Sequence, residues 1–181
     1  MAEPEEAVSG KGFALVLAFL SAWLLDQSVK LWVEEHAHEF AMAEGVDLPL
    51  VFLSYVENSS ALFGWMVGWP EVLRLTAFGG VVLLAAFLAL LIYRGLAPGD
   101  WLSSAALGLF IGGAVSNWMD RVRLGASVDL FRLPVPSYLS ESVPVFNLAD
   151  VFIVWGGVIL LIELVVQEGR ERATAPGRSE D

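Results

Sequence analysis

The sequence predicts a mainly α membrane protein: four transmembrane helices, with a small extramembrane β element and an interfacial loop on one face. Three observations carry that expectation. The 181-residue chain is 56% hydrophobic, and its mean hydropathy of +0.65 is too high for an ordinary soluble domain. Four apolar segments approach the ~20 residues that a helix needs to cross a bilayer core of about 30 Å. The polar residues suited to chemistry stand where those segments end.

In chain order, residues 1–12 read as a polar tail marked by Glu3, Glu5 and Glu6, and spans follow at about 13–33, 71–93, 101–120 and 146–166. The middle two are clear, because 75–93 and 101–119 contain no charged side chain and are joined by a turn rich in Gly95, Pro98 and Gly99. The outer two contain Asp26 with Lys30, and Asp150 with Glu163, so each spans only if those groups find partners or reach an interface. A signal peptide is a weaker reading of the first segment, since its flank is acidic and no small-residue cleavage site follows. Between the first two spans, 46–55 is rich in strand formers and reads as the β element. Residues 122–144, with Pro134, Pro136 and Pro144, read as a segment lying along the interface, and 167–181 as a flexible tail. Trp32, Trp65, Trp69, Trp101 and Trp118 fall near span ends, as an aromatic belt requires.

Alternating spans bring the ends of the first and third to the same face as the starts of the second and fourth. Asp26, Gln27 and Lys30, then Asn117, Asp120 and Arg121, then Asn147 and Asp150 therefore converge on one face, with both termini on the other. Orientation is undecided by charge, because Lys11, Arg94, Arg170, Arg172 and Arg178 on the terminus side balance Lys30, Arg74, Arg121, Arg123 and Arg132 on the motif side.

Composition excludes several classes. With no cysteine there is no thiol nucleophile, disulfide or Cys-based metal site, and a net charge of -11 argues against nucleic acid as a partner. His36 and His38 lack a third ligand at convincing spacing for a metal. Ser59 and Ser60 have no His and Asp placed for a triad, and Asn58-Ser59-Ser60 matches the glycosylation pattern only in three letters.

What remains is carboxylate chemistry. An ionised Asp near the middle of a span costs roughly 2.5–3.5 kcal/mol, so Asp129 and Asp150 at the edge of apolar segments are functional candidates for acid and base roles. Asp26 and Lys30, four apart on a helix, read as a structural ion pair before they read as catalysts. Asn117 with Asp120, and Asn147 with Asp150, are three apart, which places each amide to orient its acid, bind a peptide group or serve as polar glue between helices. Ser104, Gly108, Gly112, Ser116 and Asp120 recur every four residues as a packing stripe.

Taken together, D26-Q-S-V-K30, N58-S-S-A-L-F-G64, G112-G-A-V-S-N-W-M-D-R121 with G125-A-S-V-D-L130, and F146-N-L-A-D150 resemble the lipoprotein signal peptidase (signal peptidase II) family. The resemblance extends from about residue 13 to 166, and departs from the family where Ser60 and Ser116 stand in place of glycine and Leu62 in place of a small residue. It implies a bacterial inner-membrane aspartic endopeptidase that removes signal peptides from diacylglyceryl-modified prolipoproteins, cutting before the lipidated cysteine. Both termini would be cytoplasmic and the motif face periplasmic. By family position Asp129 and Asp150 are the catalytic dyad, Asn58, Asn117, Arg121 and Asn147 bind substrate or shape the site, and Asp26, Lys30 and Asp120 support it. No metal or cofactor is implied; membrane lipids and globomycin-type inhibitors are the further partners. Two other readings compete: a small transporter with a polar path through Asp129, Asp150 and Arg121, and a non-catalytic lipoprotein-binding relative.

Overall fold

A computed structural model describes residues 10–38, 46–47, 52–59, 66, 68–132 and 145–174. The element order is α1 (Gly10–Glu35), β1 (Val46–Asp47), β2 (Phe52–Asn58), α2 (Glu71–Gly95), α3 (Trp101–Leu124), β3 (Ser127–Arg132), β4 (Val145–Phe146) and α4 (Leu148–Thr174). All four helices are long and apolar enough to cross a membrane. Residues 1–9 and 175–181 of the expected tails lie outside the described residues, as do 133–144 of the expected interfacial segment and positions 60 and 62; 167–174, expected in the flexible tail, instead continue α4 to Thr174, and 10–12 begin α1.

The helices alternate in direction. Lys11 near the start of α1 donates to the carbonyls of Tyr93 (3.2 Å) and Leu96 (2.6 Å) at the end of α2. At the opposite end, Lys30 of α1 meets Asp120 of α3, and Asp26 accepts from the first turn of α4. The convergence expected from alternation is therefore present.

α3 is the central helix, packed on α1, α4 and α2. Its small-residue stripe lets the α1 backbone approach so closely that a Cβ on Gly108 would stand 2.3 Å from the Leu15 carbonyl oxygen, and one on Gly112 2.6 Å from that of Phe19. Gly113 gives α4 the same access, at 2.5 Å from the Ala149 oxygen. Between apolar helices in lipid there is little hydrophobic drive to associate, so this backbone proximity and the van der Waals contact it allows hold the bundle. α2 is the contrast: of its residues only Gly79 is buried, the rest presenting Val, Leu and Phe outward as lipid requires.

The sheet departs from the sequence expectation. Its order is β1-β2-β3-β4, antiparallel throughout. β2 runs on to Asn58, beyond the strand expected over 46–55. The segment expected to lie along the interface from 122 instead continues α3 to Leu124 and then forms β3. The change of direction is made at Gly125, whose φ of +76° is left-handed and whose N–H caps the Arg121 carbonyl at 2.9 Å. Three prolines downstream obscured the alternation of Ser127-Val128-Asp129-Leu130, which is a strand pattern. Val128 and Leu130 pack with Val33 of α1 into a small core, so that strand alternation turns Asp129 the other way.

Replacing Gly112 by Val should force α1 off α3. We expect a loss of about 1–3 kcal/mol or more, read as a lowered thermal midpoint in detergent; an unchanged midpoint would mean that the two helices do not depend on this contact.

Candidate functional site

The polar end of the bundle is built around Lys30, which is fully buried. Its ammonium lies 2.6 Å from Asp26 Oδ2, 2.6 Å from Asp120 Oδ2 and 2.9 Å from Asn117 Oδ1. Three protons thus meet three acceptors, which is all a lysine can donate. One cation between two carboxylates leaves an excess negative charge, and neutral donors spread it. Ser116 Oγ donates to Asp26 Oδ2 at 2.8 Å, Gln27 Nε2 to Asp120 Oδ1 at 2.8 Å, and the Ala149 N–H to Asp26 Oδ1 at 2.8 Å. Gln27 also donates to Ser116 Oγ at 2.9 Å, closing a ring of side chains between α1 and α3. On the rim, Arg123 pairs with Glu34 and ties the same two helix ends together.

Asn117 carries this order outward. Its Oδ1 accepts from Lys30, and its Nδ2 donates to Asp150 Oδ1 at 2.8 Å. Asp150 is set a second time by the start of α4. Asn147 precedes that helix, rather than sharing its face as the three-residue spacing had indicated, and acts as its N-cap. The Asp150 N–H donates to Asn147 Oδ1 at 3.0 Å, while the Asn147 N–H donates to Asp150 Oδ2 at 3.1 Å. This reciprocal pair is a capping box with Asp in the acidic position. Asn147 Nδ2 then reaches Asp129 Oδ1 at 2.8 Å, Asn117 Oδ1 at 2.9 Å and the Val128 carbonyl at 3.1 Å.

Asp129 comes from the sheet. It is 2% exposed, and its second oxygen accepts from Asn58 Nδ2 at 2.8 Å. In the β2–β3 ladder Val56 faces Asp129 and Asn58 faces Ser127, so Asn58 is the diagonal neighbour within reach. Arg121 Nη1 donates to the Asn58 carbonyl at 2.9 Å, and its guanidinium lies over the Phe78 ring, 4.0 Å from the centroid. Burial pushes the Asp129 carboxyl above the usual carboxylate range, and the charge of Asp150 pushes the same way; hydrogen bonds from Asn58 and Asn147 and the Lys30 charge pull it back.

All nine residues singled out from sequence, Asp26, Lys30, Asn58, Asn117, Asp120, Arg121, Asp129, Asn147 and Asp150, therefore enter one connected cluster. Gln27, expected on this face, is a member as well, whereas sequence reasoning missed Ser116. Ser116 had been assigned to helix packing, although its place four residues before Asp120 on the same helical face was a signal. His36 stacks on Trp32 and bonds its carbonyl, a local role at the end of α1. The Asn58 amide, bound to Asp129, is not presented as a glycan acceptor.

A separate apolar cavity of about 390 Å³ lies between α1, α2 and α3, lined among others by Leu15, Phe19, Leu90 and Tyr93, toward the opposite end of the bundle. It lacks the convergent polar groups that chemistry needs. The carboxylate cluster is the candidate site.

Comparison with known proteins bears on the family and the fold. Residues 18–166 match the family model described as signal peptidase (SPase) II. The chain is 33% identical over 161 residues to the lipoprotein signal peptidase of Syntrophomonas wolfei, covering 87% of this chain and 97% of that one. It is 36% identical over 148 residues to that of Halothermothrix orenii, covering 80% and 90%. A solved bacterial membrane enzyme superposes with a TM-score of 0.67 at 20% identity, covering 93% of this chain and 94% of its own, which shows a shared fold.

Lys30→Met should leave Asp26 and Asp120 buried without their cation. We expect a destabilisation of about 3–5 kcal/mol, checked by chemical or thermal unfolding in detergent. A variant as stable as the parent would show that the carboxylates find other compensation.

Proposed function

The chain belongs to the signal peptidase II family, a family of membrane peptidases, and from that premise we propose that it is an aspartic endopeptidase in which Asp129 and Asp150 form the catalytic dyad. Its substrates are diacylglyceryl-modified prolipoproteins, cut just before the lipidated cysteine. The observation that carries the dyad is Asn147. This one residue donates to Asp129 through its side chain and to Asp150 through its backbone N–H, binding two acids from separate elements into one unit.

Two neighbouring carboxyls, one buried and one half-buried, do not both ionise easily, so the pair holds one proton between them. The ionised member takes a proton from water as the water oxygen attacks the scissile carbonyl carbon. The protonated member donates to the carbonyl oxygen, giving a neutral tetrahedral diol. On collapse a carboxylate recovers the diol proton, the carbon–nitrogen bond breaks, and the other acid protonates the leaving amine. The pair ends with one proton, ready for the next water.

The surrounding residues follow from their bonds. Asn58, Asn117 and Asn147 give amide hydrogens to the acids, so they aim the dyad before substrate arrives. Arg121 shapes the rim through the Asn58 carbonyl. Asp26, Lys30 and Asp120 are support. The reaction as derived uses no metal or organic cofactor. A site at the membrane edge suits a substrate whose acyl chains and signal helix stay in lipid while the scissile bond meets water. The protein is then a multi-pass protein of the bacterial inner membrane, with periplasmic site and cytoplasmic termini, and globomycin-type cyclic peptides should inhibit it.

Purified protein should cleave a diacylglyceryl prolipoprotein, and Asp129→Asn and Asp150→Asn should each lose about 10²- to 10⁴-fold or more in kcat. Wild-type turnover in both variants would refute the dyad. The rate should also fall on both sides of a maximum, because the reaction needs one proton on the pair. Since burial raises the proton affinity of Asp129, the alkaline limb should lie above the ordinary Asp value of about 4; a limb at that ordinary value would contradict it.

A further inference from the structure

Two arginines hold consecutive carbonyls where β2 ends. Arg121 Nη1 donates to the Asn58 carbonyl at 2.9 Å, and Arg74 Nη1 donates to the Ser59 carbonyl at 2.8 Å. The pair is organised by one face of α2. Arg74 and Phe78 are four residues apart and so lie one above the other, and Arg121 stacks on the Phe78 ring at 4.0 Å.

Arg74 is not placed for its own satisfaction. Its Nε is buried without a hydrogen-bond partner among the described residues, a donor forfeited that an arginine merely reaching for the interface would keep solvated. It also stands near enough to Arg121 for the two cations to repel. Against both costs stands the bond of its Nη1 to the Ser59 carbonyl.

Each carbonyl fixes a peptide plane. With the Asn58 and Ser59 carbonyls both held, the end of β2 is tied to α2 and α3. On the other side, the pairing of Glu57 with Val128 and of Asn58 with Ser127 holds the strand itself. The direction of the Asn58 side chain is then settled from both sides, and that side chain ends 2.8 Å from Asp129 Oδ2.

We propose that Arg74 is a positioning residue for the cleavage reaction: through the Ser59 carbonyl it completes the clamp that keeps the Asn58 amide on Asp129. This rests on the peptidase reading above and adds a residue outside the recognised motifs.

The test uses the full chain in lipid nanodiscs, with Arg74→Ala, Arg74→Lys, Asn58→Ala and the Arg74→Ala/Asn58→Ala double variant. Kinetics on a diacylglyceryl prolipoprotein are measured across pH, together with hydrogen exchange over residues 55–59. Arg74→Ala should lower kcat by about ten- to hundredfold, the scale of a small misplacement, with KM little changed. Its alkaline limb should move to higher pH, as in Asn58→Ala, because the Asn58 hydrogen bond opposes proton binding at Asp129. Lysine, which keeps a cationic donor, should recover most of the rate, and Arg74→Ala should cost nothing further once Asn58 is gone.

A folded Arg74→Ala protein with wild-type kcat and pH profile, or losses that multiply in the double variant, would overturn the proposal. If the alanine variant does not fold, Arg74→Gln is read by the same criteria. Exchange decides independently of activity: residues 55–59 should lose protection when Arg74 is replaced, and unchanged protection would refute the clamp. An inactive wild-type preparation would refute the peptidase reading, leaving exchange to settle the clamp.

Discussion

The Lys30 ammonium gives its three protons to Asp26, Asp120 and Asn117, and through those bonds a single buried cation joins α1 to α3 and, by way of Asn117, to Asp150 on α4. A charge in this position must be fully compensated or the helices separate, since few other partners are within reach inside the bundle. The compensation is geometric as much as electrostatic. It works only if α1 and α3 touch at backbone distance, which Gly108 and Gly112 permit. The small-residue stripe and the ionic core are two conditions on the same interface.

From that core outward, each acid is aimed by a different kind of local structure. Asp150 is held by the capping box that starts α4, so its position comes with the helix. Asp129 is aimed by strand alternation, with Val128 and Leu130 anchored on Val33 and the carboxyl turned to the opposite side. Asn147 connects the two, because its place before the helix lets its backbone serve one acid and its amide the other. Asp26 and Asp120 share the chemistry of the proposed catalysts but are each paired with Lys30 at 2.6 Å. The difference between support and proposed catalyst is thus the presence of a direct cation, not the residue type.

Much of this was legible from local patterns. Four spans follow from apolar length, and the convergence of Asp26, Asn117, Asp120 and Asp150 follows from alternation alone, since helices that cross in turn must return their ends to the same face. The strand carrying Asp129 was not legible. Ser127–Arg132 is short, and prolines downstream made the whole segment resemble a surface stretch; its strand character depends on pairing with β2 and β4, which are distant in sequence. Ser116 escaped for a related reason. A small polar residue on a helix looks the same whether it fills space or closes a hydrogen-bond ring, and only the partner across the interface tells the two apart.

The sequence by itself determined the class of protein, the number of spans, the end of the bundle where polar groups gather and the identity of the nine residues found there. These depend on hydropathy, helical periodicity and motif order, which are properties of the chain read locally. Only the tertiary structure decided that Asp120 joins Asp26 on Lys30, that Asp129 and Asp150 are held by amides, that Asn147 is a helix cap, and that Asp129 rides on a strand whose neighbour ends at carbonyls bonded by Arg74 and Arg121. Those facts are set by contacts between residues as far apart as Asp26 and Ala149. At such separations an ångström of helix approach, not spacing along the chain, fixes which donor meets which oxygen.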